Sequence, residues 1–484
     1  MSRSRSAKWA GEAGSEARGR GGGRDASAWV GAALFISVLG VSTPARSVEF
    51  LIESQTVGDA YQLVTSGNEV LNRNRLHQFL GLSLYDIEAS GENHWSFTSL
   101  LRFGVDFGLT EKELDEVIGL ERTRLSIQYA MLQGQNLLGG LVDMKLGRQL
   151  LVDGLDYLMM DGAVVTVNTP WFLAVELHAG LEVRNDAWDL NDSQFETDGT
   201  RFIAGLEETT DAASVVFGAA LVTRNLDYAR YRVGYRRYFS SGAVDAEKIG
   251  GSFHQRVVEG VDLSGIVSWD MFNGRFDRIQ TGGRVRIADH TELELEYVRT
   301  TPTFDGDSIF NIFSIYPMND INARWRLYPG KNDRLHLGGK VRLAGNEAYD
   351  DVGTTLYGDV DTMVSAWGTM AGWTHSFGPR GVDGRFTVDF TWEGGWSGDR
   401  IFGDVGGVWA VVPREWELEG RLTVVDFDDE LQDNLNALSF GYQLGGRYLV
   451  DKKAAFAVIA EHNMNRLQNH QFRVFALIDL NLWL

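Results

Sequence analysis

The chain ends in Gln471-Phe-Arg-Val-Phe-Ala-Leu-Ile-Asp-Leu-Asn-Leu-Trp-Leu484, a stretch in which every second residue is apolar. One parity, the even-numbered positions, is apolar and, counted back from the end, consists of Leu484, Leu482, Leu480, Ile478, Ala476 and Val474. The opposite parity includes Arg473, Asp479 and Asn481. This period of two predicts a β-strand with one apolar face and one mostly polar face. The stretch alone fits either a buried last strand of a soluble domain or a strand of a membrane barrel.

The same alternation recurs upstream for roughly 400 residues. Its clearest segment runs from Trp95 to Leu109, where the odd positions are mostly apolar and aromatic residues lie near both ends. Clusters of Gly, Asn and Asp, such as residues 329–333 and 426–430, separate the segments and predict turns. A soluble β-sandwich would also alternate. The length of the uninterrupted pattern and its Gly-rich polar face favour a barrel instead.

Composition supports one continuous architecture. The 484 residues include 56 Gly but only seven Pro, and multi-domain chains usually carry Pro in their linkers. Hydrophobic residues make up 44% while the mean hydropathy is −0.17, as expected when apolar residues alternate with polar ones. The absence of Cys excludes disulfides, thiolate metal sites, a Cys nucleophile and covalent haem attachment.

The first 47 residues predict a secretory signal peptide. Six basic residues precede an apolar run from Ala28 to Val41, and Ala45-Arg-Ser47 offers small residues at a cleavage site. Removing residues 1–47 takes away seven basic and three acidic residues, so the net charge changes from −21 to −25. Such an acidic protein is not expected to bind nucleic acid.

These observations predict an all-β protein, a single transmembrane antiparallel β-barrel of about 18 strands (16–18), given about 24 residues per strand and connection. Residues 48–72 show no strong period and are expected to form an N-terminal lead-in or plug, with the barrel spanning residues 73–484. The last strand resembles the C-terminal strands of bacterial outer-membrane barrels, although Trp483 stands one place before the end. It is expected to pair with a first strand near Arg75–Asp86. The predicted location is the bacterial outer membrane, with lipid as the surrounding partner.

If the apolar faces meet lipid, the charged faces line a lumen in which basic residues form rows. The candidate rows consist of Arg230, Arg232 and Arg236, then Arg278, Arg284 and Arg286, then Arg324, Arg326, Arg334, Lys340 and Arg342. Arg presents a rigid fork suited to carboxylates and phosphates, so one interpretation is a path for anions. The other is structural, with these cations pairing across strands with residues such as Glu292, Glu294 and Glu296. The two interpretations are compatible if cations outnumber carboxylates where the lumen is narrow.

A short motif suggests a family. Gly147-Arg-Gln149, followed by Asp161-Gly162 at the start of the next strand, resembles the alginate-export family of outer-membrane porins, as does Asn72-Arg-Asn-Arg-Leu76. Met160 stands where the family has an aromatic residue. The resemblance implies a monomeric barrel that passes an anionic solute or polysaccharide. Physically, Arg148 fits a lumenal or constriction site where a fixed positive charge is useful, whereas the structural alternative pairs Arg148 with Asp153 or Asp161 and pins the turn.

Signals for catalysis are weak. Gly395-Trp-Ser-Gly398 lacks the last Gly of a nucleophile elbow, and the histidines have no zinc-protease spacing. No enzyme activity, cofactor or metal is predicted. Two alternatives stay open. One is a barrel that sheathes a separate electron-transfer cytochrome or another periplasmic partner, and the other is a barrel hydrolase that uses Ser439 and His462.

Overall fold

The computed structural model describes residues 48–64, 70–87, 93–111, 122–183, 214–240, 242–301, 318–344, 364–378, 383–395, 398–428, 437–450, 453–465 and 470–483. The signal-peptide prediction for residues 1–47 lies outside this part of the chain. Among the described residues, no helix is long and apolar enough to span a membrane.

The described residues form strands almost throughout. In chain order these are β1 (Glu49–Val64), β2 (Val70–Tyr85), β3 (His94–Asp106), β4 (Thr123–Asn136), β5 (Val142–Val152), β6 (Tyr157–Asn168), β7 (Leu173–Glu182), β8 (Val215–Thr223), β9 (Ala229–Ser240), β10 (Ala243–Val258) and β11 (Val261–Asp270). The second half holds β12 (Arg275–Ala288), β13 (Thr291–Thr300), β14 (Met318–Leu327), β15 (Asp333–Ala344), β16 (Val364–Phe377), β17 (Gly384–Gly395), β18 (Asp399–Val412), β19 (Trp416–Asp428), β20 (Ala437–Val450), β21 (Ala454–Met464) and β22 (Gln471–Trp483). One helical turn, α1 (Leu137–Gly140), joins β4 to β5.

Each strand pairs antiparallel with the next, and β22 pairs with β1, so the sheet closes into a barrel. The all-β antiparallel barrel is thereby confirmed, but its 22 described strands exceed the predicted 18. The estimate failed because several connections are much shorter than assumed: residues 259–260 and residues 289–290 each join two strands.

The N-terminal expectation was wrong. Glu49–Val64 is not a lead-in or plug but strand β1 of the wall, hydrogen-bonded to β2 on one side and to β22 on the other. The last strand therefore closes the barrel against β1, where Asp59 faces Phe475 and Val57 faces Leu477, and not against the Arg75–Asp86 segment, most of which lies in β2. The outer-facing positions of β1 include Ser54, Thr56 and Gly58, which explains why its alternation was invisible in the sequence.

Side-chain exposure assigns the two faces of the wall. Along β22 the even-numbered side chains from Phe472 to Leu482 are exposed, whereas the odd-numbered ones are partly covered. Gln55 Nε2 donates to Asp479 Oδ1 at 2.8 Å on the covered, inner face. The parity predicted to face lipid is therefore the outer one, as in a membrane barrel.

Aromatic pairs on the outer face lie near both rims. Trp367 and Trp392 meet edge to face with ring centroids 4.1 Å apart near the rim that carries the longer connections. Trp416 and Tyr448, 4.6 Å apart, lie near the opposite rim, where β1 begins and β22 ends. We call these the loop rim and the terminal rim. Because membrane barrels have short periplasmic turns and long external loops, the terminal rim is the periplasmic one.

Candidate functional site

The lumen contains a hairpin that leaves the wall. We call residues 149–160, which comprise the end of β5, the turn at 153–156 and the start of β6, the inward hairpin. Its Leu158 and Met160 are 1% and 0% exposed and pack with Val216, Tyr238 and Ala246. Those three residues lie on the inner faces of β8, β9 and β10. The hairpin therefore covers part of the lumen wall instead of extending past the rim.

The turn of the hairpin is held down by a buried ion network. Arg236, which is fully buried, donates from Nη2 to Asp153 Oδ2 at 2.8 Å and from Nη1 to Asp156 Oδ1. Arg232 bridges Asp153 Oδ2 at 3.2 Å and Glu176 Oε1 at 2.6 Å. The Arg236 and Asp153 side chains are buried and their partners are largely covered, so the network pairs each of these charges, as buried charges require.

Further contacts extend this network. The Tyr238 hydroxyl donates to Asp156 Oδ2 at 3.0 Å, and Lys248 Nζ lies 3.4 Å from the same oxygen. Arg236 Nε donates to His178 Nε2 at 3.3 Å, which requires that ring nitrogen to be unprotonated. The turn thus contacts strands β9 and β10 directly, and Arg232 and Arg236 link it to Glu176 and His178 of β7.

The first predicted basic row is therefore divided. Arg232 and Arg236 lie on the inner face as predicted, but the hairpin covers them and acidic partners neutralise them. Only Arg230, nearer the terminal rim, is exposed to the lumen. Sequence could not reveal this, because Asp153-Gly-Leu-Asp156 has the composition of an ordinary surface turn.

Arg148 does not lie where the sequence placed it. It alternates with the exposed Leu146 and Leu150 on the outward parity of β5, so it is not a lumenal residue. Its Nε and Nη2 each donate to Asp161 at 2.7 Å, while Nη1 donates to the Ile127 carbonyl at 2.9 Å. The structural alternative, a pair with Asp161, is the one observed.

The remaining predicted cations lie on one inner sector of the wall, β12–β15, which we call the basic sector. From residue 278 to residue 342 its described inner positions carry eight cations, namely Arg278, Arg284, Arg286, Arg324, Arg326, Arg334, Lys340 and Arg342. The same positions carry four carboxylates, namely Glu292, Glu294, Glu296 and Asp320. Cations thus outnumber carboxylates on this face.

Most of the carboxylates of the basic sector are engaged. Asp320 binds Arg342 Nε at 2.7 Å and lies 3.7 Å from Lys340 Nζ, whereas Glu294 lies 2.5 Å from Arg326 Nη2. Arg324 has no ion pair among the described residues: its Nη2 lies 3.6 Å from Met370 Sδ, and its Nε is buried without an acceptor. Arg324 is half-buried, and an uncompensated guanidinium in that position would be stabilised by an anion from the lumen.

Outside the basic sector the inner wall is closer to charge balance. On β18 and β19, Arg421 donates to Asp404 Oδ2 at 2.7 Å, and Thr423 donates to the same oxygen at 2.7 Å. Here the structural interpretation of acid–base ladders holds. Cross-strand ion pairs therefore occur in both parts of the lumen, whereas the surplus of cations lies in the basic sector.

One lumenal cluster was missed by sequence reasoning because it lies on β1. Arg75 binds Asp59 through Nη2 at 2.8 Å, and the Arg473 guanidinium lies 4.8 Å from the Tyr61 ring and 5.0 Å from the Phe475 ring. A cavity of about 600 Å³ lies beside these residues, at the strand junction that closes the barrel. Once β1 is placed in the wall, its odd positions become inner positions.

A second cavity, of about 1010 Å³, lies on the terminal-rim side of the inward hairpin. Arg230, Arg232 and His254 line it. A Cβ added at Gly154 would lie 3.2 Å from Ser252 Cβ, so the hairpin turn borders this space. The exposed guanidinium of Arg230 therefore faces a chamber large enough for a small organic solute.

The predicted hydrolase pair is not assembled. Ser439 lies on the inner parity of β20, whereas His462 lies on the outer parity of β21, stacked on Phe472 with ring centroids 3.9 Å apart. In the part of the chain that the structure describes, no group of three or more His, Asp or Glu side chains is arranged to hold a metal ion.

Comparison with known proteins gives limited guidance. No family model matches the chain, and no curated protein matches it. Similar solved structures include Pseudomonas aeruginosa OpdK with vanillate (10% identity, TM-score 0.44, 91% of this chain and 100% of that chain). A BenF-like porin from Pseudomonas fluorescens Pf-5 gives 8% identity and a TM-score of 0.46, again with 91% and 100% coverage. Acinetobacter baumannii OccAB4 gives 7% identity and a TM-score of 0.44, with 91% and 99% coverage.

At these identities and TM-scores the likeness carries no conclusion about what this chain does. Its own geometry defines the class of protein: a closed antiparallel barrel with an apolar outer face and a charged interior is a transmembrane β-barrel of the bacterial outer membrane. The resemblance of Gly147-Arg-Gln149 to alginate-export porins stays a prediction, since no family model matches.

Proposed function

We propose that this protein is an outer-membrane channel that passes anionic solutes, either small carboxylates or a polyanionic polysaccharide, along its basic sector. The observation that carries the proposal is the surplus of cations on the inner faces of β12–β15, with Arg324 lacking an ion pair among the described residues. A row of fixed cations gives a passing anion successive weak sites. Monomeric barrels suffice for this role, because the lumen lies within one chain.

Ion selectivity in planar bilayers tests the proposal. The wild-type barrel is expected to give a stable open pore with an anion-selective reversal potential in a KCl gradient. A unit charge about 4 Å from a permeating ion in water contributes ~1 kcal/mol. The Arg324→Ala change is therefore expected to lower the anion-to-cation permeability ratio by up to about fivefold, since ~1.4 kcal/mol is a factor of ten.

Arg237→Ala is the matched control, because Arg237 lies on the outer parity of β9 beside Phe239, outside the lumen. It removes the same charge and is expected to leave selectivity unchanged. An unchanged ratio in Arg324→Ala, or equal effects of the two variants, would count against the basic sector as the path. A barrel that stays closed until a periplasmic redox protein is added would instead support the sheath alternative.

A further inference from the structure

The wall changes its construction where β5 separates from β4. These strands pair only between Ala130–Gly134 and Met144–Arg148. Gly147, at the point of separation, has φ of +113°, and a Cβ there would lie 2.2 Å from the Ala130 carbonyl oxygen. Only glycine fits this position. Within the described part of the chain, residues 123–129 of β4 have no strand partner on this side.

The next strand separates from the wall as well. Pairing of β6 with β7 begins at Met160 and Glu182, with one more bond from Val183 N to the Met159 carbonyl at 2.9 Å. The residues that would continue the wall toward the loop rim are those of the inward hairpin, which lies against β8–β10 instead. The described wall is therefore interrupted between β4 and β7 on the loop-rim side.

The base of this interruption is polar. The Arg148–Asp161 ion pair lies there on the outward parity, beside Leu181, and the Asp161 side chain is 42% exposed. An ion pair turned toward hydrocarbon is costly, and so is an unpaired strand edge. Arg148 relieves the second cost in part by donating to the Ile127 carbonyl. The partly exposed Asp161 carboxylate would be stabilised by water at this depth.

The sides of the interruption are apolar. Leu125 and Ile127 are exposed on β4, and Leu150 and Val152 are exposed on the opposite side, on the face of the hairpin that turns away from its buried cluster. Val152 is 61% exposed although it belongs to a hairpin folded into the barrel. Apolar sides over a polar base match the two ends of an amphipathic molecule.

We infer that the barrel has a lateral opening between β4 and β7 that accepts the hydrocarbon chain of an amphipathic anion, such as a fatty acid, on its way between the lumen and the membrane. Two residue pairs border this opening. At Gly147-Arg148, β5 separates from β4. At Asp161-Gly162, β6 packs closely on β7, since a Cβ at Gly162 would lie 2.2 Å from the Ala179 carbonyl oxygen. The inference that this ligand is an anion rests on the proposed function, whereas the inference of the opening does not.

Fluorescence quenching in the native barrel tests the inference. Because the chain has no Cys, Val152→Cys gives a single attachment point for an environment-sensitive fluorophore. Two quenchers are used in proteoliposomes: iodide, which samples water, and dibromostearate, a fatty acid with a brominated chain. Gln443→Cys on the inner face of β20 reports a lumenal position, and Val233→Cys on the outer face of β9 reports a lipid-facing one.

The inference predicts that iodide and dibromostearate both quench the fluorophore on Val152→Cys. Dibromostearate should do so at membrane fractions too low to quench the fluorophore on Val233→Cys. Quenching by iodide alone, as at Gln443, would mean a sealed wall and would overturn the opening. Equal dibromostearate dependence at Val152 and Val233 would overturn selective uptake of the chain. Leu150→Cys repeats the test at a second site. The reversal potential of the same labelled protein is recorded in parallel, so that failure of the opening and failure of anion selectivity are told apart.

Discussion

At the scale of single residues, burial decides which charges can act. Arg236 and Arg324 look alike in sequence, each within a period-two strand with basic neighbours. Arg236 is fully buried by the inward hairpin and satisfied by Asp153 and Asp156, whereas Arg324 has no ion pair among the described residues. The first therefore fixes a hairpin, whereas the proposed anion path assigns the second to contact with solutes.

Asp153→Asn is expected to loosen the inward hairpin. The substitution keeps the shape of the side chain but removes a carboxylate shared by Arg232 and Arg236, and breaking a buried ion pair costs about 3–5 kcal/mol. Single-channel recordings should then show a larger or more fluctuating conductance. Asp262→Asn is the control, because Asp262 pairs with the exposed Arg284, and such pairs contribute about 0–1 kcal/mol. If Asp153→Asn kept the conductance and the low current noise of the wild type, the assigned role of the network would be contradicted.

Gly147→Ala is expected to destabilise the barrel or prevent its assembly. Its φ of +113° disfavours any side chain, and the added Cβ would lie 2.2 Å from the Ala130 carbonyl oxygen. Heat-modifiable mobility in SDS gels and urea unfolding in detergent measure the loss. Gly403→Ala is the matched control in another strand, since a Cβ there meets nothing within 4 Å, and it should unfold like the wild type.

At the scale of strands, the sequence predicted best where the two faces differ most. The faces of β22 were assigned correctly because Ile478, Leu480 and Leu482 alternate with Asp479 and Asn481. Strand β1 was missed because small and polar residues occupy its outer face. The strand number was underestimated for a related reason: alternation locates strands well, but two-residue turns leave little signal between them.

The inward hairpin could not have been foreseen from one sequence. Its buried contacts join Asp153 and Asp156 to Arg232 and Arg236, some eighty positions further along the chain. No local pattern records such a contact, and the alternation of β5 and β6 is that of ordinary wall strands. The same limit explains why Arg148 was placed on the wrong face.

The last strand offers a direct test of the face assignment. Ile478→Arg places a charge on the exposed outer face and is expected to destabilise the folded barrel by about 2–4 kcal/mol at the membrane midplane. Leu477→Arg, one residue away on the inner face opposite Val57 and Ala457, is expected to cost much less, because the lumen is hydrated. Urea unfolding in lipid vesicles compares the two. A larger loss for Leu477→Arg would reverse the faces.

At the scale of the whole molecule, net charge and local charge point in opposite directions. The full chain carries a net charge of −21, which taken alone would favour cations in the pore. Between residues 278 and 342 the basic sector instead places eight cations against four carboxylates on one part of the lumen wall. Ions that pass within a Debye length of that sector respond to it more strongly than to the distant acidic groups.

The salt dependence of selectivity separates these two influences. The Debye length is about 30 Å at 0.01 M and about 3 Å at 1 M ionic strength. If the basic sector governs passage, anion selectivity should persist at 1 M salt for solutes that touch the wall. Arg326→Ala combined with Arg342→Ala should lower it there, since the two partly exposed side chains are two of the eight cations of the sector. If the net charge of the molecule governed passage, the pore would be cation-selective at 0.01 M salt and unselective at 1 M. Reversal potentials are measured across that range in the wild type and in the double variant. They distinguish the field of the basic sector from the field of the whole molecule, because at 1 M salt only charges within a few ångströms of an ion still act on it.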